Sequence, residues 1–451
     1  MADIKGAAAL GVEPVGKLLR QYAVPAIVAM TASSLYNMVD SIFIGQGVGP
    51  FAISGLAITF PLMNLSAAFG ALVGVGCATL LSVRLGQKDY DTSFKVLGNC
   101  VTMNVILGSI LTVLAFTFLD DILYFFGASE QTIPYARDYM QVIVLGNVIT
   151  HLYMGLNAVL RSSGHPQQAM YATMVAVLVN VALDPLFIYV FDMGIRGAAV
   201  ATVISQSISL VWQLKIFANK QELIHFRRNS FKLRRRIARD TITIGMPQFL
   251  MNMAACLVVL LINQGLVRFG GDLAVGAYGI INRLVFVMVM IVIGFNQAMQ
   301  PIAGYNYGAN QMPRVMQVLK LTMIAATMVT TTAFLVFVLG AELVVRAFTT
   351  DDELARLSAE GLRIVVTVFP IVGFQMVVAN FFQSIGKPGK SIILSLSRQV
   401  LVLIPSLLIL PQFFGVKGVW WSLPLSDAIS TVIAVTLILR EIRLQRNHAA
   451  H

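Results

Sequence analysis

Glycine, proline and alanine recur in this chain at a fixed offset of 222 positions, which divides the sequence into two related halves. Because glycine and proline determine where a backbone turns or bends, the matches predict that both halves follow one backbone plan. The alternative is a chance alignment of small apolar residues, but the matches keep their order with a single shift of the offset to 221. The matched pairs are Pro25 with Pro247, Ala52 with Ala274, Gly86 with Gly308, Gly164 with Gly386, Pro166 with Pro388, Gly194 with Gly415 and Gly197 with Gly418.

Both halves consist mainly of long apolar runs. Hydrophobic residues make up 57% of the chain and charged residues 12%, whereas a soluble domain carries about 25% charged residues. An apolar run of about 20 residues can cross a membrane as a helix. The sequence therefore predicts an all-α integral membrane protein with twelve transmembrane helices in two pseudo-symmetric six-helix lobes. The predicted spans are residues 15–43, 51–80, 93–118, 135–160, 168–190, 197–218, 241–267, 274–300, 315–340, 359–384, 390–411 and 418–439.

Positive charge is concentrated between the two halves, in residues 219–239, which contain eight lysines and arginines against the single acid Glu222. The positive-inside rule places this segment and, with an even number of spans, both termini in the cytoplasm. Nucleic-acid binding is an alternative use of the charge, but membrane orientation and contact with anionic lipids explain it without another partner. The predicted division is a cytoplasmic tail 1–14, an N-lobe 15–218, a basic linker 219–239, a C-lobe 240–440 and a cytoplasmic tail 441–451.

Motifs for catalysis or cofactor binding are absent from the sequence. It contains no phosphate-binding Walker loop, no glycine signature for a dinucleotide and no nucleophile elbow in a usable context. Its three cysteines, Cys77, Cys100 and Cys256, lie in or beside apolar runs without metal-ligand spacing, and they are interpreted as packing residues. The sequence therefore predicts a protein that is not an enzyme and holds no cofactor.

Two carboxylates fall inside predicted spans of the N-lobe, where a charged group is costly and is a functional candidate. Asp40 lies four residues after Tyr36, and Asp184 lies four residues after Asn180, so each pair shares a helix face. Such a group can hold a proton, or it can bind a small hard cation such as Na+ through the oxygens of Asp40, Asp184 and Asn180. The alternative is that both acids lie near the headgroup layer and are solvated there.

The repeat makes the predicted coupling site asymmetric. The positions corresponding to Asp40 and Asp184 in the second half are Ile262 and Ser406, so cation coupling is expected only in the N-lobe. Charges within or near the C-lobe spans predict a different feature, an internal pair between Arg283 and Asp427. The alternative is that such side chains extend to the interface, as Arg398 can near Lys390.

Several segments resemble the multidrug and toxic compound extrusion (MATE) transporters, and especially their prokaryotic DinF-like branch. The resemblance covers roughly residues 14–440. It depends on YAVPAIVAMTASSLYNMVDSIFIGQ, LNAVLRSSGHPQQAM, NVALDPLFIYVFDMGIRGAAVATVISQ, QAMQPIAGYNYGAN and SIGKPGKS. It implies two lobes around a V-shaped cavity in a bacterial inner membrane. It also implies an N-lobe cation or proton site on Asp40, Asn157, Asn180, Asp184 and Thr202, with Tyr36 beside them.

One departure concerns the related NorM-like branch, in which an acid in the seventh span carries coupling. The corresponding residue here is Ala255, which argues against coupling in the C-lobe. The expected function is secondary active export of organic, often cationic or amphipathic, compounds in exchange for H+ or Na+. The expected protein is a monomer that contacts membrane lipids and no nucleic acid, and its first helix is expected to bend near Pro25 on cation binding. The alternatives are a flippase for lipid-linked precursors of the same superfamily, and a membrane receptor or scaffold.

Overall fold

A computed structural model describes the backbone of residues 6–449 and their side chains, except those of residues 50, 272 and 444–449. Residues 1–5 of the predicted N-terminal tail and 450–451 of the predicted C-terminal tail lie outside the described residues. Within them the regular structure is helical. Ten helices of the described residues are long and apolar enough to cross a membrane, and the number of candidate spans is twelve when each of two bent helix pairs is counted as one span.

The six spans of the N-lobe follow the predicted segments closely. They are α1 (Val15–Gly47), α2 (Phe51–Gly86), α3 (Tyr90–Thr117), α4 (Ile133–Leu145 and Asn147–Ser162, bent by 56°), α5 (Pro166–Val190) and α6 (Gly194–Ala218). The six spans of the C-lobe repeat this order. They are α7 (Arg235–Gly271), α8 (Leu273–Gly308), α9 (Met312–Leu339), α10 (Asp352–Val365 and Phe369–Ser384, bent by 55°), α11 (Pro388–Phe414) and α12 (Val416–Arg443).

The structure confirms the shared backbone plan of the two halves. The second segments of the bent spans begin at Asn147 and Phe369, which are 222 positions apart. Residues with positive φ recur at the same offset, because the same tight connections recur: Gly49 with Gly271, and Lys88 with Asn310. After the offset shift, Gly194 and Gly415 have φ values of 57° and 58°. The repeat is therefore a property of the backbone and not a chance alignment.

Three apolar clusters hold the molecule together. One lies within the N-lobe and includes Ile44 and Tyr139, and one lies within the C-lobe and includes Ile262 and Trp420. The largest draws residues from both halves, among them Leu81. The two lobes therefore have separate cores at one end of the molecule and a common core at the other.

The lobes touch at what we call the sealed end, formed by residues 10–30, 69–86, 241–249 and 294–314. Glycine makes this contact possible: a Cβ atom on Gly86 would lie 1.9 Å from the carbonyl oxygen of Tyr305. The corresponding glycine, Gly308, lies equally close to the carbonyl oxygen of Val83, at 2.0 Å. Small residues allow helix backbones to approach this closely in membrane proteins. The two contacts are related by the repeat, so the seal has the symmetry of the lobes.

The linker and the tails are more structured than the sequence indicates. Helix α7 begins at Arg235, inside the predicted linker. The helix that contains the span α12 continues past residue 440 and ends at Ala449. The rest of the linker packs on α3, because the Asn99 amide donates to the Ser230 carbonyl (3.2 Å) and its oxygen accepts from the Arg234 backbone N–H (2.8 Å). These bonds position the basic segment beside the sealed end.

Candidate functional site

The two intramembrane acids meet where α1 packs against α5. Asp40 is 5% exposed and Asp184 is fully buried, and their carboxyl groups lie close enough to interact directly. Asn180 joins them to α6: with its amide oriented to satisfy both ends, it donates to Asp184 Oδ2 (3.0 Å) and accepts from Thr202 Oγ1 (3.1 Å). The predicted acid pair is thus one connected group and is not solvated at an interface.

Each acid retains an oxygen without a hydrogen-bond donor. Asp40 Oδ1 and Asp184 Oδ1 are both buried, and neither has a partner among the described residues. Buried polar atoms are almost always satisfied in folded proteins, so each such exception requires an explanation. A shared proton or a small hard cation would supply what these two oxygens lack. The chemistry of the group therefore fits the predicted ion.

Two tyrosines complete the surroundings of the acid pair. Tyr36, one helical turn before Asp40, is half-buried and interacts with Thr202. Tyr139, from the first segment of α4, is 2% exposed and lies within electrostatic range of both acids. Sequence reasoning missed Tyr139 because its spacing from the acids contains no signal: only the bend of α4 brings it there.

Asn157 does not join this group, which corrects the site implied by the resemblance. Its amide donates to the Ala169 carbonyl (2.9 Å) and to Thr173 Oγ1 (3.3 Å). Thr173 precedes Asn180 by two helical turns, or roughly 10 Å along the axis. The amide oxygen of Asn157 accepts from Arg161 Nη1 at 2.5 Å. A neighbouring guanidinium repels a cation, so Asn157 is unsuited to coordinating one.

The predicted charge pair of the C-lobe has a different partner. Arg398 Nε donates to Asp427 Oδ1 at 2.5 Å, whereas Arg283 is exposed on α8. Arg398 lies in the wider π-helical turn Ser397–Leu403 of α11, and such turns rotate side chains away from their regular positions. Arg398 therefore faces α12 instead of extending to the interface. Regular helical spacing does not predict that direction.

The proline at the expected helix bend and the C-lobe positions that correspond to acids are buried or line the space between the lobes. Pro25 is buried, and the helix Val15–Gly47 continues through it without interruption. Ile262 is buried in the apolar cluster of the C-lobe, and Ser406 is 9% exposed. Ala255 lines the space between the lobes. The C-lobe positions that correspond to Asp40 and Asp184, Ile262 and Ser406, therefore place no ionisable side chain in the C-lobe.

A cavity of about 1180 Å³ separates the lobes and is lined by both. Ligand pockets commonly measure about 300–1,000 Å³, so this one accommodates a drug-sized molecule with space to spare. Its walls combine apolar side chains, such as Phe69 and Met154, with amide side chains. These amides include Gln248, Asn252, Gln297 and Gln300. Flexible thioethers and amides suit a cavity that accepts several shapes.

The acid pair and the cavity share a wall. Tyr36 and Thr202 line the cavity, while the two acids behind them do not. The sequence matches the MatE family model over residues 25–186 and 244–408, one segment in each half. The chain belongs to the MatE family. The two matched segments of this MatE protein begin in the first span and in the seventh, so the family match reproduces the repeat.

Relatives of this MatE protein match it over nearly its whole length. It is 28% identical to the multidrug export protein MepA of Staphylococcus haemolyticus, over 94% of this chain and 93% of MepA. The solved MATE multidrug transporter DinF-BH, in complex with R6G, is 37% identical with a TM-score of 0.89 and covers 95% of this chain and 96% of its own. An outward-facing MATE family transporter of the MOP superfamily has a TM-score of 0.92 at 23% identity, covering 99% of this chain and 100% of its own, which shows the fold.

Proposed function

We propose that this multi-pass membrane protein is a secondary active multidrug efflux transporter that exports amphipathic organic compounds in exchange for H+ or Na+ bound in the N-lobe. The observation that carries the proposal is the shared wall, because Tyr36 and Thr202 both line the cavity. Tyr36 interacts electrostatically with both acids, and Thr202 bonds to Asn180, which bonds to Asp184. An ion bound to the acids and a drug bound in the cavity therefore both depend on the positions of the same two side chains. Binding of one hinders binding of the other. The names of the relatives MepA and DinF-BH support the same function.

Coupling between the two ligands must be reciprocal, because a cation that weakens drug binding is itself bound more weakly when the drug is present. One charge that moves through 100 mV supplies about 2.3 kcal/mol, or close to fiftyfold in concentration. In the proposed orientation, the basic linker and both termini lie on the cytoplasmic side of a bacterial inner membrane. The sealed end therefore faces the cytoplasm. The cavity of this structure then opens outward, ready to release a drug and take up the ion.

A flippase for lipid-linked precursors is the second candidate, and the lining of the cavity argues against it. A pyrophosphate headgroup carries several negative charges and requires several cations for recognition. The charged residues that line this cavity, within the described part of the chain, are Arg161 and Arg398. Arg398 is already paired with Asp427, so only one positive charge remains to meet such a headgroup.

The test is efflux by purified protein in liposomes, with rhodamine 6G as the probe. We expect an imposed H+ or Na+ gradient to drive accumulation of the dye against its concentration gradient. Dissipation of the effective gradient with the matching ionophore should stop it. A fluorescent lipid-linked pyrophosphate in the same liposomes tests the flippase. Its movement, without dye transport under either gradient, would refute multidrug efflux.

Pro25 is the residue proposed to allow α1 to bend during coupling. Proline cannot donate the backbone hydrogen bond to Gln21, which leaves a weak point in an otherwise continuous helix. Pro25→Ala restores that bond and should favour the straight helix. We expect turnover several-fold lower, with folding intact and drug affinity retained or increased.

The measurement for Pro25 is drug affinity at high and low pH. Wild type is expected to lose affinity as the pH falls and the N-lobe acids take up protons, while Pro25→Ala loses much less. Pro247→Ala, at the corresponding position of the C-lobe, is the matched control and should keep the wild-type pH dependence. Identical pH dependence in wild type and Pro25→Ala would show that the bend plays no part in coupling.

A further inference from the structure

One charged group of the cavity has no role in the mechanism above. Arg161 lies on the second segment of α4 and lines the cavity. Its hydrogen bond within the described residues runs from Nη1 to Asn157 Oδ1, and none of their ion pairs includes it. A guanidinium has five N–H donors in a fixed fork. Arg161 lines the cavity, and most of its fork has no acceptor among the side chains and backbone that the structure describes.

Arg398, in the same cavity, differs from Arg161 because a carboxylate neutralises its charge. Its guanidinium is bonded to Asp427, which is 5% exposed, and the pair is neutral overall. Asp40 and Asp184 do not compensate Arg161, because they lie behind the cavity wall next to Tyr36 and Thr202. The lining therefore carries one net positive charge, at Arg161.

A positive charge without a partner in a largely apolar cavity is costly and marks a site for an anionic group. Carboxylate fits best, since its two oxygens accept from the arginine fork in parallel. The surroundings add an apolar requirement: Met154 lies two helical turns before Arg161 on the same face of α4. The group that binds there is thus the carboxylate of a larger apolar molecule.

We infer that Arg161 is a specificity-determining residue that binds the carboxylate of amphipathic, zwitterionic substrates. The inference rests on the proposed efflux function and names the substrate class that the cavity prefers. An aromatic body lies against the methionine and phenylalanine walls, and its carboxylate pairs with Arg161. Esters of the same compounds lose that pairing and bind more weakly, although they fit the same cavity.

Two rhodamine dyes test this directly because they differ in one group. Rhodamine 110 has a free carboxylate, and rhodamine 123 is its methyl ester. Their affinities are measured by fluorescence polarisation with the purified full-length protein. We expect wild type to prefer rhodamine 110. Arg161→Gln should weaken rhodamine 110 by about tenfold or more, as expected for a charged bidentate contact, and should change rhodamine 123 by less than twofold.

Two further variants separate contact from charge. Arg161→Lys keeps the charge but loses the fork, so a direct bidentate contact predicts a clear loss for rhodamine 110, whereas a long-range field predicts none. The double variant Arg398→Gln with Asp427→Asn removes the compensated pair from the same cavity without changing its net charge. We expect that variant to keep the wild-type preference between the two dyes.

Each outcome decides for or against the inference. A wild type that binds rhodamine 123 as tightly as rhodamine 110 overturns it whether or not any variant folds. Equal losses for both dyes in Arg161→Gln also overturn it, since they indicate a structural role. In either of these two outcomes, export of rhodamine 123 in response to a gradient would still support the proposed efflux function, and only the inference about Arg161 would be refuted. If neither dye binds, the inference fails, and the rhodamine 6G export assay decides the proposed function separately.

Discussion

Asp40→Asn and Asp184→Asn should each abolish gradient-driven export while the protein remains folded and inserted. Asparagine has nearly the same shape as aspartate, but its amide takes up no proton. It also has one neutral oxygen in place of the two charged oxygens of a carboxylate. The unpartnered oxygens Asp40 Oδ1 and Asp184 Oδ1 are the atoms on which the ion site depends. Loss of one coupled charge removes a driving force worth about fiftyfold in concentration per 100 mV.

The measurement compares dye accumulation in liposomes with and without the imposed gradient. The matched control is the double variant Arg398→Gln with Asp427→Asn, which neutralises a buried carboxylate of the C-lobe together with its partner. We expect this control to alter thermal stability and to keep the dependence on the gradient. Normal gradient dependence in both N-lobe variants would disprove the assignment. Loss of that dependence in the control alone would mean that coupling resides in the C-lobe.

The backbone plan could be predicted from the sequence because the features that determine it are local. Glycine adopts positive φ at little steric cost, and the repeat marks Gly164 with Gly386 and Gly194 with Gly415, all of which have positive φ. The acid pair could be predicted for the same kind of reason. A carboxylate in an apolar span is costly and has to find partners, and helical spacing identified Asn180 and Tyr36 as candidates.

Other contacts between spans could not be predicted, because they depend on bends and irregular turns. Asp427 pairs with Arg398 because a π-helical turn redirects the arginine, and no spacing rule distinguishes it from Arg283. Tyr139 reaches the acids because α4 bends by 56° after Leu145. Asn157 is bonded by Arg161 one turn further along its own helix. The four-residue spacing places both side chains on one face of the helix, but it does not show that this face lines the cavity.

The second large effect concerns the sealed end. Alternating access requires the two lobes to separate there, although their backbones are in contact at Gly86 and Gly308. A covalent link across this contact should therefore stop transport. The chain already has half of such a link: Cys77 Sγ on α2 lies 3.6 Å from Thr241 Oγ1 on α7. Thr241→Cys puts a second thiol within reach of a disulfide after a small rotation of the side chains.

The variant is built with Cys100→Ser, because Cys100 lies against Cys77 and would compete for it. After treatment with a membrane-permeant oxidant, we expect export to fall to the background rate and to recover fully with dithiothreitol. Drug binding should persist in the oxidised protein, since the linked state is the one whose cavity is open. The control has the same two substitutions together with Cys77→Ser and should not respond to oxidant.

Thiol labelling under denaturing conditions measures how much of the protein is linked, so an incomplete reaction is not mistaken for activity. A fully linked protein that still exports at the normal rate would show that the lobes do not part at this contact. The symmetry of the seal makes that outcome informative. Gly86 on Tyr305 and Gly308 on Val83 are the same contact in the two halves. A transport cycle that leaves one of them closed must leave both closed, and the inward opening would then have to occur within a lobe instead of between the lobes.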